Sequence, residues 1–308
     1  GGTRKTPLKA YLCNQNSMRM ALGSLQEINT LFERFKKLNI LIIGDVMIDS
    51  YLWGKVDRIS PEAPVPIVAV NKRANRLGGA ANVALNVKAL GARPVLCSVI
   101  GNEDKADTFR HLMQENSLYD GGIYRSENRI TTTKFRVIGN NAQMLRVDEE
   151  VEHPLIGSDR QAFGQLLKEV FGKEKIDAII FQDYDKGVIT PELIAMVREM
   201  AALKKVPVVI DPKRRNFGEY RQLTLFKPNL KELREGMGVD FKKDDLDSLR
   251  RAVRMLHEKQ QLEIILATLS DEGVFISRKY HDGTYSDHHI PAHLRSIADV
   301  SGAGDTVV

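Results

Sequence analysis

Cysteine is nearly absent from the chain: 308 residues contain two, Cys13 and Cys97. That excludes a disulfide framework, no Cys/His spacing of a zinc site is present, and a reducing, cytoplasmic compartment is expected. Long apolar runs are missing too. "ILIIG" (40–44) and "AIIF" (178–181) have the length of buried strands, far short of a membrane span, so no membrane partner is expected. Neither sign of charge dominates, with 45 basic against 40 acidic residues and a net charge of +5. The signs interleave, as in "FKKDDLDSLRRAVR" (241–254), which describes a solvated surface and not a nucleic-acid face. There is no HExxH motif, no Walker A loop, no internal repeat and no low-complexity segment. Four of the seven histidines fall in "YHDGTYSDHHIPAH" (280–293), but adjacent His288 and His289 would face opposite sides of a strand, so a hairpin is expected there and not a metal site.

The chain opens on Gly1-Gly2, and residues 1–19 carry neither periodicity nor a signal-peptide core; a tag or linker ahead of a native start near Met20 is expected. Residues 20–37 then hold a short leading helix, with Leu25, Ile28, Leu31, Phe32 and Phe35 at helical spacing. From Leu38 onward strands and helices alternate. Strands are expected at 38–44, 93–100, 177–183, 206–211 and 262–268, and helices at 78–90, 103–116, from Pro191 behind a Thr190 cap, and at 244–260. "GVFISRKYHDGTYSDHHI" (273–290) reads as a hairpin turning at Asp282-Gly283. This alternation predicts an α/β fold with a mostly parallel sheet flanked by helices, whose ligands lie at the carboxyl ends of the strands. Asp45, Asp183, Asp211, Lys213 and Thr268 stand at such ends. Two regions break the rhythm. "YLWGKVDRISPEAPVPIVAVNK" (51–72) has three prolines within six residues and cannot be a helix, although "PIVAV" suits an edge strand. "TTTKFRVIGNNAQMLRVDEE" (131–150) reads as two strands joined at Gly139-Asn140-Asn141, with Lys134 and Arg136 on one face. Together they predict a small separate β sheet placed as a lid.

Four motifs carry possible chemistry. In "GDVMIDSY" (44–51), Asp45 and Asp49 leave the first buried strand; they suit the hydroxyls of a polyol or, equally, a turn and a cap. In "RLGGAANVALN" (76–86), Gly78 and Gly79 let backbone approach a ligand and Asn82 can donate and accept, although a tight loop-to-helix junction needs the same glycines. In "DPKRRNFGEY…LTLFKPNLKELREG" (211–236), Asn229 and Glu232 stand at i, i+3, a spacing that serves a hydrated magnesium ion or phosphate oxygens, or a capping box; Lys213 suits a phosphate contact. "SGAGD" (301–305) lacks the lysine of a Walker A loop and the third glycine of a dinucleotide fingerprint. What remains is a set of backbone N–H groups at 302–305 beside the Asp305 carboxylate, the pairing that phosphoryl transfer to an alcohol requires.

In this order the motifs resemble the PfkB, or ribokinase-like, sugar kinases from about Leu38 to Val308; "DVSGAGDT" is similar to that family's C-terminal signature and "LGGAANVA" to its N-terminal one. "GDVMIDSYLWGKVDRISPEAPVPI", "TTTKFRV", "QDYDKG", "DPK" and "KPNLKE" resemble the branch that phosphorylates a heptose 7-phosphate. The resemblance implies a Rossmann-like (ribokinase-like) kinase domain over 38–308, lid segments near 51–72 and 131–147, and use of ATP with Mg2+. It implies Asp305 as catalytic base and Gly302, Ala303 and Gly304 as the anion hole. It also implies sugar contacts from Asp45, Asp49, Gly78, Gly79 and Asn82. Asn229, Leu230, Lys231 and Glu232 match the ATP- and magnesium-associated segment, with Glu232 acting on the metal indirectly, and Thr268 and Gly273 of "TLSDEG" match a nucleotide loop. A substrate phosphate at the far end of the sugar would need cations, for which Lys134, Arg136, Arg146 and Lys186 are candidates, with Asp183 beside them. Lid sheets of this family often pair between two copies, so a homodimer is expected. The chain stops in the first turn of the helix that Asp305 opens, where family members continue, so a C-terminal truncation is expected. Two other readings stay open: a kinase of the same family for another sugar or nucleoside, and a non-catalytic sugar- or nucleotide-binding protein.

Overall fold

The computed structural model describes residues 25–242, 245–292 and 303–307. The expected tag and start near Met20, and Gly302 of the anion hole, lie outside the described residues. Helix α1 (Leu25–Phe35) leads into β1 (Asn39–Gly44). Then come β2 (Val46–Ile59), β3 (Pro66–Gly79), α2 (Ala80–Ala89), β4 (Arg93–Ile100), α3 (Asp104–Glu115) and β5 (Ile123–Arg125). The middle of the chain forms β6 (Thr133–Gly139), β7 (Ala142–Glu149), α4 (Gly157–Lys173), β8 (Ala178–Gln182), α5 (Pro191–Lys204) and β9 (Val208–Asp211). It continues as β10 (Leu225–Phe226), α6 (Leu230–Met237), α7 (Leu246–Gln260), β11 (Ile264–Thr268), β12 (Val274–Lys279), β13 (Tyr285–Ile290) and α8 (Ala303–Val307).

The main sheet runs β13-β12-β11-β10-β9-β8-β1-β4-β5. All its pairings are parallel from β5 to β11, and the β11-β12-β13 end is antiparallel. β1 is apolar from Ile40 to Ile43 because both of its faces are covered. Leu41 and Ile43 join a core with α4, α5 and α7, and Ile40 and Ile42 join a second core under α2 and α3. The chain steps from β1 to β4 on one side and later fills β8 and β9 on the other. This reversal opens a crevice at the carboxyl ends of β1 and β8, where open α/β sheets take their ligands. Among the described residues no helix is long and apolar enough to cross a membrane.

The second sheet, β3-β2-β6-β7, is the expected lid, and it is larger than its motifs suggested. β2 begins one residue after β1, and β3 ends where α2 begins, so two strands of 14 residues stand out from the core. Pro61 and Pro64 fall in the turn at 60–65, Pro66 opens β3, and β3 is an edge strand, as "PIVAV" implied. β6 and β7 turn at Asn140-Asn141, both with positive φ (51° and 66°), the geometry of a tight hairpin.

Candidate active site

Asp45 links β1 to β2 and is buried. Its carboxylate accepts the backbone N–H groups of Tyr184 (2.8 Å), Lys186 (3.2 Å) and Val188 (3.0 Å). Burial, with repulsion from Asp183 second, pushes its pKa up to about 6 against those three donors. Asp183 is equally enclosed, accepting from the Tyr220 hydroxyl at 2.6 Å, Asn216 Nδ2 at 3.0 Å and the Asp185 N–H at 2.8 Å. Neither carboxylate lines the cavity described below; together they shape the segment 183–188 that follows β8. The side chain on that segment which does reach the cavity is Tyr184.

Asp305, on α8, is buried at the crevice. Its Oδ2 accepts from Asn82 Nδ2 at 2.8 Å, and its Oδ1 accepts from the Tyr184 hydroxyl and from Gln182 Nε2 at 3.4 Å. Burial raises its pKa above the ordinary aspartate value, and the donors Tyr184 and Asn82 act in the opposite direction. Asn82 stands on the first turn of α2, which Gly79 precedes with φ 60°. A Cβ on Gly79 would lie 2.4 Å from the Asp45 carbonyl oxygen, and one on Gly78 would lie 2.4 Å from Asp49 Oδ2. These glycines therefore let β3 close onto β2 and the Asp45 junction. Beside Asp305, a Cβ on Gly304 would meet none of the described residues within 4 Å, which leaves that backbone open to an approaching group on their side.

The lid faces Asp305 across a cavity of about 350 Å³, lined by Asp49, Tyr51, Arg76, Lys134, Arg136 and Arg146 from the lid and by Asn82, Tyr184 and Asp305 from the core. Strand register explains the grouping. Arg76, Asp49, Lys134 and Asp148 form one cross-strand row, and Ala74, Tyr51, Arg136 and Arg146 the next row on the same face. Three of the cations are held by carboxylates: Lys134 by Asp148 (2.9 Å) and Glu150 (2.8 Å), Arg136 by Asp49 (2.5 Å), Arg146 by Asp148 (2.9 Å). Lys186 is paired with Glu150 and Glu152 and does not line the cavity. Arg76 has no carboxylate partner among the described residues; its guanidinium lies 5.1 Å from the Tyr51 ring centre, which Arg136 also approaches at 5.3 Å. Arg76, Tyr51, Tyr184 and Gln182 were not among the sequence candidates. Arg76 directly precedes "LGG", so its place in the first row follows from pairing β3 with β2.

On the far side of Asp305, Asp211 ends β9. Buried Lys227 meets its Oδ2 at 3.1 Å, and Lys213 stands 3.7 Å from its Oδ1. Lys213 also pairs with Glu232, and its pKa is raised: burial lowers it, and Asp211 and Glu232 more than offset that. Asn229 and Glu232 form a complete capping box at the start of α6, at 2.9 Å and 2.8 Å. Leu230 and Lys231 are the next residues of that helix, and Lys231 points out toward Glu235. Thr268 joins Asn229 through a backbone bridge. Gly273 has φ 95°, and a Cβ there would strike the Ile290 carbonyl oxygen, so its glycine serves the close approach of β13. Among the described residues no group of three or more His, Cys, Asp or Glu is placed to hold a metal ion. Both Glu232 oxygens are engaged, by Lys213 and by the Asn229 N–H.

The family model described as pfkB family carbohydrate kinase matches residues 37–308. The bifunctional protein HldE of Geobacter metallireducens is 37% identical over 284 residues, covering 92% of this chain and 56% of that protein. The chain thus spans a little over half the length of the curated relatives it matches. Among solved structures, phosphofructokinase-2 from Escherichia coli in complex with substrates and products superposes with a TM-score of 0.68 at 15% identity, over 87% of this chain and 83% of that one. Arabidopsis thaliana ribokinase complexed with ribose and ATP gives 0.62 at 14% identity, over 87% and 83%.

Proposed function

Because the chain belongs to the pfkB family of carbohydrate kinases, we propose that it phosphorylates the anomeric C1 hydroxyl of D-glycero-D-manno-heptose 7-phosphate with ATP, giving the 1,7-bisphosphate and ADP in the ADP-heptose route to lipopolysaccharide. The observation that carries this reading is the two-sided cavity: a buried carboxylate on its core wall and four cations on its lid wall. The proposed substrate has a matching polarity, with the reacting hydroxyl at one end and a phosphate at the other. Arg76 and Arg136, which share the Tyr51 ring, would take the phosphate bidentately. Asp49 would accept sugar hydroxyls in the middle of the cavity.

In the reaction the C1 oxygen attacks the γ-phosphorus, the bond from that phosphorus to the bridging oxygen of ADP breaks, and the hydroxyl proton passes to the Asp305 carboxylate. Asn82 and Tyr184 hold that carboxylate in place. The open backbone at Gly304 leaves room for the moving phosphoryl group. Lys213 and the start of α6 would contact the nucleotide. Glu232, both of whose oxygens are engaged, would meet a magnesium ion brought with the nucleotide only through its hydration shell, and the ion would supply neutralisation of phosphate charge.

The lid exposes Ile59, Val65, Leu145 and Val147, and we propose that a second copy covers them. Coupled ADP release across a panel of sugars tests the substrate. The heptose 7-phosphate should turn over far faster than ribose, fructose, adenosine or fructose 6-phosphate. Preference for an unphosphorylated sugar or nucleoside would overturn the substrate assignment, and thermal stabilisation by ligands without ADP release would favour a binding protein.

A further inference from the structure

Gln182 closes β8 at the crevice, fully buried, with Gly44 of β1 and Asp211 of β9 as its register neighbours. Its Nε2 donates to Asp211 Oδ2 at 3.2 Å and to Asp305 Oδ1 at 3.4 Å. One neutral NH2 group thus stands between two carboxylates that come from opposite ends of the site. Its Oε1 is buried with no partner among the described residues. Turning the amide over would set an acceptor against two acceptors, so the carboxylates fix its direction and leave the oxygen orphaned. Buried polar atoms are almost always paired, and a methionine would fill a similar volume with no orphan, so core packing alone does not account for the amide. The polar path continues beyond it. Asp211 pairs with Lys227 and approaches Lys213, Lys213 pairs with Glu232, and Glu232 accepts from the Asn229 N–H at the start of α6.

We propose that Gln182 is a positioning residue for phosphoryl transfer: its carboxamide aligns the Asp305 carboxylate with Asp211, and through Lys213 and Glu232 with the start of α6, so that the acceptor end and the nucleotide end share one alignment. The inference rests on Asp305 acting as the base. The titratable groups around Asp305 among the described residues are Tyr184 from the exit of β8, Asp211 from β9 and Lys227 after β10, while α2 contributes the neutral Asn82 and Asn86. Without the amide, Asp305 keeps its donors Tyr184 and Asn82 but loses its hydrogen-bonded link to Asp211, so the alignment slackens and the repulsion from Asp211 holds the Asp305 proton to higher pH.

The test compares the wild-type chain with Q182M, Q182E and D305N, using MgATP and D-glycero-D-manno-heptose 7-phosphate. Q182M should lower kcat by about 10- to 100-fold, the scale expected for a misplaced catalytic group, with both KM values nearly unchanged. Q182E keeps the shape but adds a third carboxylate, and should move the acidic limb of the pH–kcat/KM profile to higher pH. Wild-type kcat in Q182M, or an unmoved acidic limb in Q182E, overturns the proposal. If D305N is inactive in the same series, such a result leaves the base assignment standing; near-normal turnover in D305N overturns that assignment and this inference with it. Should Q182M fail to fold in a thermal melt, the Q182E profile decides alone.

Discussion

Asp305 is only 8% exposed, and burial gives its carboxylate a raised proton affinity, which suits a group that must take a proton from an alcohol. In the proposed reaction the active form is the ionised one. As pH falls through the raised pKa the base is lost, so the acidic limb of kcat/KM should begin at higher pH than a solvated aspartate would give. Asn82→Ala removes a donor that favours the ionised form, and should push that limb higher still in a pH–rate series. Asp305→Asn should cost about 10²–10⁴-fold in kcat while ATP binding by calorimetry persists. At the lid wall, Arg76→Ala should raise the KM for the heptose 7-phosphate about tenfold or more with the KM for ATP unchanged, since it removes a charge-assisted contact from one substrate. An unmoved sugar-phosphate KM would remove Arg76 from the phosphate end. At this scale the sequence is informative about residue type and less so about orientation. Asp45 and Asp183 leave strand ends while Asp49 lies within β2, and only Asp49 lines the cavity, because backbone N–H groups of 184–188 claim Asp45 and Tyr220 and Asn216 claim Asp183.

At the scale of elements, the parallel strands and their helices are legible because apolar runs of strand length alternate with helical spacing and cap residues. Thr190 does accept from the Leu193 N–H, with Pro191 behind it. Helix α4 carries the same signal in Phe163, Leu167, Val170 and Phe171, without a side-chain cap to mark its start. Two-residue β10 carries too little pattern to be seen. The lid was legible only in part. Its strands are half solvated and interrupted by register shifts at Trp53/Gly54 and Val56/Arg58, so strict alternation is lost, and 51–72 shows its prolines and the edge strand "PIVAV" but not the length of the ribbon. The i, i+3 pair Asn229 and Glu232 shows a different limit, since one spacing supports a cap and a ligand contact together; the capping box is formed, and the nucleotide contact is a proposal. The junction of β3 with α2 offers a test at this scale. Gly79→Ala sets a Cβ against the Asp45 carbonyl at positive φ, and should lower stability by about 1–3 kcal/mol or more in urea unfolding.

For the whole molecule, the main sheet is covered on both faces, while the lid carries exposed apolar side chains on β7 and near the tip of the β2/β3 ribbon. If a second copy covers the lid as proposed, Leu145→Asp should shift the chain from dimer to monomer in sedimentation velocity without changing the core; a wild-type sedimentation profile in that variant would place the contact elsewhere. The geometry that joins lid to core also sets how the molecule can move. Only Asp45 separates β1 from β2, and Gly79 meets it from the other strand, with the Ala80 N–H bonded to the Asp45 carbonyl at 2.9 Å. From that joint each strand extends 14 residues, on the order of 45 Å at the usual strand rise. The pair is a long lever, braced beside the joint by β6 along Ile48–Gly54 and free of it beyond. A rotation of about 5° at Asp45 and Gly79 carries the tip through about 4 Å, while the same rotation barely displaces Asp49 and Arg76 near the pivot. The side of Asp45 that does not belong to the lever is bonded to 184–188. Torque from a contact at the tip would therefore be delivered, at high mechanical advantage, to the segment that carries Tyr184.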